Sequence, residues 1–101
     1  MSEENNTHAN ARLHAIVEGR VQGVGFRYFV EENAYQLNLT GWVRNRWDGT
    51  VEVLAEGDRQ TLEKFLSFLH RGPRAAYVST VEVVWLPATG EFTRFSVRVT
   101  T

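Results

Sequence analysis

A chain of 101 residues with 43% apolar and 23% charged side chains has the composition of one globular domain, large enough for a single modest core. Its formal net charge of −1 gives no electrostatic footprint for nucleic acid, and the lack of cysteine excludes disulfides, a zinc–thiolate site and a cysteine nucleophile. No apolar run approaches the roughly 20 residues of a membrane span and no signal-peptide pattern opens the chain, so the expectation is a cytoplasmic protein without membrane attachment.

Residues 1–10 are polar, with two adjacent glutamates and three asparagines, and are expected to form a disordered tail before a single domain over residues 11–101. Residues 11–18 alternate, with Leu13, Ala15 and Val17 on one side and Arg12, His14 and Glu18 on the other, the pattern of a half-buried strand. His14 is expected on the surface rather than as a ligand. The stretch Gly19-Arg20-Val21-Gln22-Gly23-Val24-Gly25-Phe26-Arg27 follows. Phe26, Phe29, Val30, Ala34 and Leu37 then recur at helical spacing and read as a core stripe. Glu31 and Glu32 lie off that stripe as solvent contacts, and Asn38 closes the helix.

Residues 41–45 read as a second strand, and Asp48-Gly49 is a strong hairpin signal. The return strand covers residues 50–56, with Val51, Val53 and Ala55 on one face, and Gly57 ends it. Asp58 is a good N-cap for a second helix carrying Leu62, Phe65, Leu66 and Leu69 on one side. His70 and Arg71 suit its C-terminal dipole end, and Gly72-Pro73 stops it. Residues 77–86 alternate through Val81, Val83 and Trp85. After a turn, residues 92–100 form a last strand with Phe95, Val97 and Val99 on one face.

The chemistry is concentrated in the first connection. Three glycines fall within seven residues between a strand and a helix. Glycine permits positive φ and close approach of a ligand, so successive amides can converge on one anion at the positive end of the helix dipole. Arg27 sits in the first helical turn, where a cation is slightly unfavourable, which points to a negative guest; a plain strand-to-helix turn with a solvated arginine is the other reading of the loop by itself. The loop is neither a Walker A motif nor a dinucleotide fingerprint. The candidate cradle is therefore the backbone of Val21, Gln22, Gly23, Val24 and Gly25, with Arg27 as its charged donor.

Two strand–helix–strand units joined by a hairpin make an α+β, ferredoxin-like split-βαβ sandwich, βαββαβ plus one extra C-terminal strand, with two helices on one mixed sheet. In this topology the first two strands are parallel with one strand between them, so their C-terminal ends lie about 10 Å apart at one sheet edge. Asn45 then faces the glycine-rich loop. Asparagine near a turn often bonds local backbone instead; the loop across the edge favours the functional reading.

At these residues the sequence resembles the acylphosphatases. The motif G-x-V-Q-G-V-x-F-R stands without departure at Gly19 to Arg27, and G-W-V-x-N-x-x-D-G-x-V-E at Gly41 to Glu52. The Gly72-Pro73 segment with Ala76 and Val78, and the closing Phe95-Ser96-Val97, are also similar to the family, so the resemblance spans about residues 12–99. It implies a small, metal-free, cofactor-free hydrolase of acyl phosphates, with Arg27 binding phosphate and Asn45 orienting the attacking water. Its partners would be a small acyl phosphate and inorganic phosphate, product and competitive ligand, with no nucleic acid and no membrane, and the chain would act as a monomer. The alternative is a non-catalytic anion- or partner-binding module of the same fold, since similar domains occur within larger maturation proteins.

Overall fold

The computed structural model describes residues 10–101, in the order β1 (Asn10–Arg20), α1 (Phe26–Gln36), β2 (Thr40–Asn45), β3 (Val51–Asp58), α2 (Arg59–Arg71), β4 (Tyr77–Pro87) and β5 (Phe95–Val97). The tail expected at the start of the chain lies outside the described residues, except that Asn10 belongs to β1 and pairs with Asp58. The five strands form one sheet in the order β4-β1-β3-β2-β5. β3 runs antiparallel to both β1 and β2, and β5 runs parallel to β2. The split-βαβ topology expected from the element order is therefore the one observed.

Strand alternation and helical periodicity meet in one core. The row Val83, Ala15, Val53, Val43, Val97 crosses all five strands. Leu13, Val17, Val51 and Ala55 extend the same face, and Phe26, Val30 and Ala34 of α1 and Leu62, Phe65 and Leu69 of α2 cover it. Phe65 meets Phe95 edge-on, with ring centroids 6.2 Å apart. This geometry adds about 0.5–1.5 kcal/mol to the area the two rings bury. The α1 terminus also follows the sequence reading. Asn38 takes φ 58°, and Leu39 N–H reaches back to Ala34 O at 2.9 Å, a left-handed closure that asparagine tolerates.

Four local expectations are corrected. β1 continues through Gly19 and Arg20, so the loop proper begins at Val21. β3 continues past Gly57, which pairs with Ala11. Asp58 stands at the N-cap of α2, but its carboxylate accepts from the Thr61 hydroxyl (3.3 Å) rather than from a helix amide. The last strand is only three residues long, and Val99 is 82% exposed. The physical reason for the last correction is an extra residue. Arg98 N–H donates to Val43 O (2.9 Å), so a regular parallel ladder would have Thr100 donate to Asn45 O. Instead Thr101 does, at 3.2 Å, and the inserted residue swings Val99 out of the core row.

The opposite sheet face is held by ion pairs. Arg12 Nε is 2.6 Å from Glu56 Oε2 and also pairs with Glu91. Glu52 accepts from Arg44 (2.8 Å) and lies 2.7 Å from His14 Nε2, so His14 is a partner of a carboxylate on the half-covered face. Arg44 and Arg98 both stack on Trp42, at 4.6 and 4.9 Å from its ring centroid. Glu56 takes hydrogen bonds from Thr89 N–H (2.9 Å), Thr89 Oγ1 (3.0 Å) and Gly90 N–H (2.9 Å), and thereby fastens the connection leading to β5. Burial pushes this carboxyl up, but the amides of Thr89 and Gly90, Arg12 and the Thr89 hydroxyl outweigh it and hold the pKa at about 2 against an ordinary 4.5. A depressed carboxyl stabilises the fold fully above its unfolded pKa and loses that contribution as pH falls through the folded value. Denaturant melts between pH 5 and 2 should therefore show a loss on the order of 2 kcal/mol from this group. Glu56→Gln should be less stable at pH 7 and lose less over the same interval.

Candidate active site

The first connection is built on a bulge. The pairing of β1 with β4 shifts register between Glu18 and Gly19. A Cβ on Gly19 would lie 2.1 Å from Tyr77 O, so this glycine serves the close passage of β4 rather than the anion loop. The glycines of the loop act differently. Gly23 and Gly25 take φ 74° and 79° with open space around the missing Cβ, so conformation and not crowding requires glycine there. Gly25 is the left-handed N-cap of α1, with no side-chain cap and no acidic residue in the first turn.

That backbone path leaves a run of amides unused. Phe29 N–H donates to Gly25 O at 3.0 Å, but among the described residues no acceptor takes the amides of residues 22–28. An unpaired run of donors at a helix start has the geometry and the dipole end that suit a negative group. Beside it lies a cleft of about 310 Å³, lined by Val21, Gly23, Gly25, Phe26, Arg27 and Asn45, with Tyr28, Glu31 and Val97 completing the wall. Among the described residues no carboxylate pairs with Arg27, so its guanidinium retains its donors for a ligand.

The far wall is the end of β2. Asn45 pairs with Val51 of β3 on one side, and its carbonyl accepts from Thr101 on the other. Asn45 Oδ1 is buried and has no hydrogen-bond partner among the described residues. Orphaned buried acceptors cost about 1–3 kcal/mol and are uncommon. The turn beyond is closed by Arg46 N–H to Thr50 O (2.9 Å) and Gly49 N–H to Arg46 O (3.1 Å). Asp48 Oδ1 accepts from both Thr50 N–H (3.0 Å) and Thr50 Oγ1 (2.6 Å).

The structure thus brings Arg27 and Asn45 to one cleft, as the strand order requires. Of the five expected loop residues, Val21, Gly23 and Gly25 line the cleft. Val24 packs towards the core, and the side chain of Gln22 turns to the hairpin, donating to Arg46 O and Thr50 O at 2.8 Å each. The sequence reading missed the role of this side chain, and it missed Tyr28, Glu31 and Val97. Glu31 is not a mere solvent contact; it lies one turn beyond Arg27 and lines the cleft. Helical spacing from Arg27 was the available signal for Glu31. Nothing local marks Val97, which arrives from the far end of the chain.

The acylphosphatase family model matches residues 13–97. An acylphosphatase of Pelotomaculum thermopropionicum is 49% identical over 89 residues, covering 88% of this chain and 97% of that relative. The crystal structure of acylphosphatase from Bacillus subtilis superimposes with a TM-score of 0.84 at 42% identity, covering 87% of this chain and 98% of that one. Full-length HypF in a phosphate- and nucleotide-bound form superimposes with a TM-score of 0.83 at 26% identity, but this chain covers only 12% of it. The family match, the near-complete overlap with free-standing relatives and the shared fold lead to one conclusion: this chain belongs to the acylphosphatase family.

Proposed function

We propose that the cleft between the loop over residues 21–25 and the β2–β3 hairpin is where the protein hydrolyses acyl phosphates to a carboxylate and inorganic phosphate. One observation carries this reading. Among the described residues, a run of unpaired amides, an arginine without a carboxylate partner and Asn45, whose buried Oδ1 has no partner, belong to the walls of a single cleft. The phosphoryl oxygens take the amide and guanidinium donors. The acyl group leans on the mouth of the cleft, where Tyr28 and Val97 are 68% and 40% exposed.

Water attacks phosphorus in line with the departing carboxylate oxygen. The phosphorus–oxygen bond to the acyl group breaks, its electron pair leaves with the carboxylate, and the proton of the attacking water passes to a phosphoryl oxygen. A carboxylate is a good leaving group, so the work left to the protein is positioning and charge stabilisation in a loose transition state. Arg27 and the amides supply the charge stabilisation. Asn45 Oδ1 accepts from the water and fixes its line of attack. Because Oδ1 is shielded, accepting from the water requires rotation about χ2, a broad torsion in asparagine. The reading needs no resident metal, and no cluster of three potential metal ligands occurs among the described residues. Among the described residues no helix is long and apolar enough to cross a membrane.

Benzoyl phosphate hydrolysis measured in EDTA tests the function directly. Turnover is the expected result, whereas phosphate binding without turnover would make this chain an anion-binding module. In the same assay Arg27→Ala should fold normally, bind phosphate more weakly and lose about 10²–10³ in rate; wild-type turnover in that variant would remove Arg27 from the site. Asn45→Ala should keep near-normal phosphate affinity while kcat falls steeply. A purely structural asparagine predicts a lower melting temperature with turnover per folded molecule almost unchanged, so measuring both quantities separates the roles.

A further inference from the structure

The side chain of Gln22 has a task that neither the anion loop nor the hairpin explains alone. Its backbone lies between Val21 and Gly23, both of which line the cleft, while its side chain leaves the cleft for the hairpin. A carboxamide has two N–H donors, and both are used: Nε2 is 2.8 Å from Arg46 O and 2.8 Å from Thr50 O. Each of those carbonyls already accepts one hydrogen bond within the turn, from Gly49 and Arg46 respectively. Gln22 supplies the second donor to both and so grips the mouth of the hairpin from outside. Among the described residues, these two are the hydrogen bonds that join residues 21–25 to residues 45–50.

We infer that Gln22 is a positioning residue for Asn45. The inference rests on the proposed role of Asn45 in orienting the water. Asn45 directly precedes Arg46, whose carbonyl is one of the two that Gln22 holds. The loop sets where phosphorus sits, and Asn45 sets where the water sits. The reaction depends on the vector between them, and that vector spans two different chain segments separated by the intervening strand β3. A clamp with two hydrogen bonds fixes the relative placement of those segments in two directions. Catalytic groups need placement within about 0.5 Å and 10–20°, and a misplacement of 1 Å from a remote change can cost on the order of 10²-fold in rate. Gln22 does this without touching the substrate, because its side chain is not in the cleft wall.

Gln22→Met tests the inference, since it keeps length and shape but removes both donors. Turnover of benzoyl phosphate, inhibition by inorganic phosphate and melting temperature are measured on Gln22→Met, Asn45→Ala and the double variant. The expected result is a fall in kcat of about 10- to 100-fold for Gln22→Met, with the phosphate inhibition constant within about threefold of wild type, and no further fall in kcat when Gln22→Met is added to Asn45→Ala. Equal losses in the wild-type and Asn45→Ala backgrounds would overturn the inference, because Gln22 would then act through something other than Asn45. A phosphate inhibition constant that rises in step with the loss of turnover would overturn it by making Gln22 part of the cradle. Near-wild-type turnover of Asn45→Ala by itself would overturn the proposed role of Asn45 and this inference with it, whereas a crippled Asn45→Ala beside an unimpaired Gln22→Met would overturn the inference alone. Should Gln22→Met fail to fold, Gln22→Asn, whose amide falls about 1.5 Å short, must show the same pattern; wild-type kcat in that variant refutes the clamp.

Discussion

β3 lies between β1 and β2 and pairs antiparallel with both, and this single placement governs the rest of the molecule. Two strands on either side of a common antiparallel neighbour must run the same way. Their C-terminal ends then leave the sheet at one edge, so the chain after β1 and the chain after β2 face each other. Everything in the cleft descends from that fact. The loop over residues 21–25 and Arg27 come from the first exit, and Asn45 comes from the second. β5 adds itself parallel to the outer side of β2 and brings Val97 to the same edge.

The cleft carries local costs that the core offsets. Amides left without acceptors among the described residues, an uncapped helix start and an arginine in the first turn each weaken α1 by the ordinary rules of helix ends. The orphaned Asn45 oxygen adds another unfavourable term. These features survive because Phe26, Val30 and Ala34 anchor the helix in a fully buried cluster with Val17, Val43 and Val51. The helix is held by its apolar stripe and not by its terminus, so the terminus is available for an anion. The same division appears in the hairpin. Its turn is closed by Arg46, Gly49 and Thr50 and by the Asp48 carboxylate, so Asn45 is relieved of the turn-stabilising task that asparagine often performs.

The polar face of the sheet has a supporting part. Glu56 ties the turn at Thr89 and Gly90 directly to β3, Arg12 of β1 pairs with the same carboxylate, and that turn feeds β5. The stack of Arg44 and Arg98 on Trp42 holds the chain just beyond β5 against β2. Thr101 then donates to Asn45 O and accepts from Trp47 N–H, closing the outer side of the residue that forms the far wall of the cleft. Ion pairs on one face of the sheet thus bear on the geometry at its edge, through the short strand between.

The sequence by itself determined the element order, most of the core and the facing of Arg27 and Asn45 across one cleft. Alternation at Leu13, Ala15 and Val17, and helical spacing at Leu62, Phe65 and Leu69, are local patterns, and local patterns survive without knowledge of the partner surface. The split-βαβ topology follows from element order, and with it the confrontation of Arg27 and Asn45, because connection rules leave few alternatives. What tertiary structure alone decided is how the pieces touch. Gly19 resembles a loop glycine in the sequence, yet its need is set by Tyr77 O, which lies far along the chain. Gln22 resembles one more residue of the cradle, yet its amide is spent on two carbonyls of the hairpin. Val99 continues an alternating pattern, yet the extra residue before Thr101 turns it outward. In each case the deciding contact joins residues distant in sequence, and periodicity measured along one segment contains no information about which backbone atom another segment will present to it.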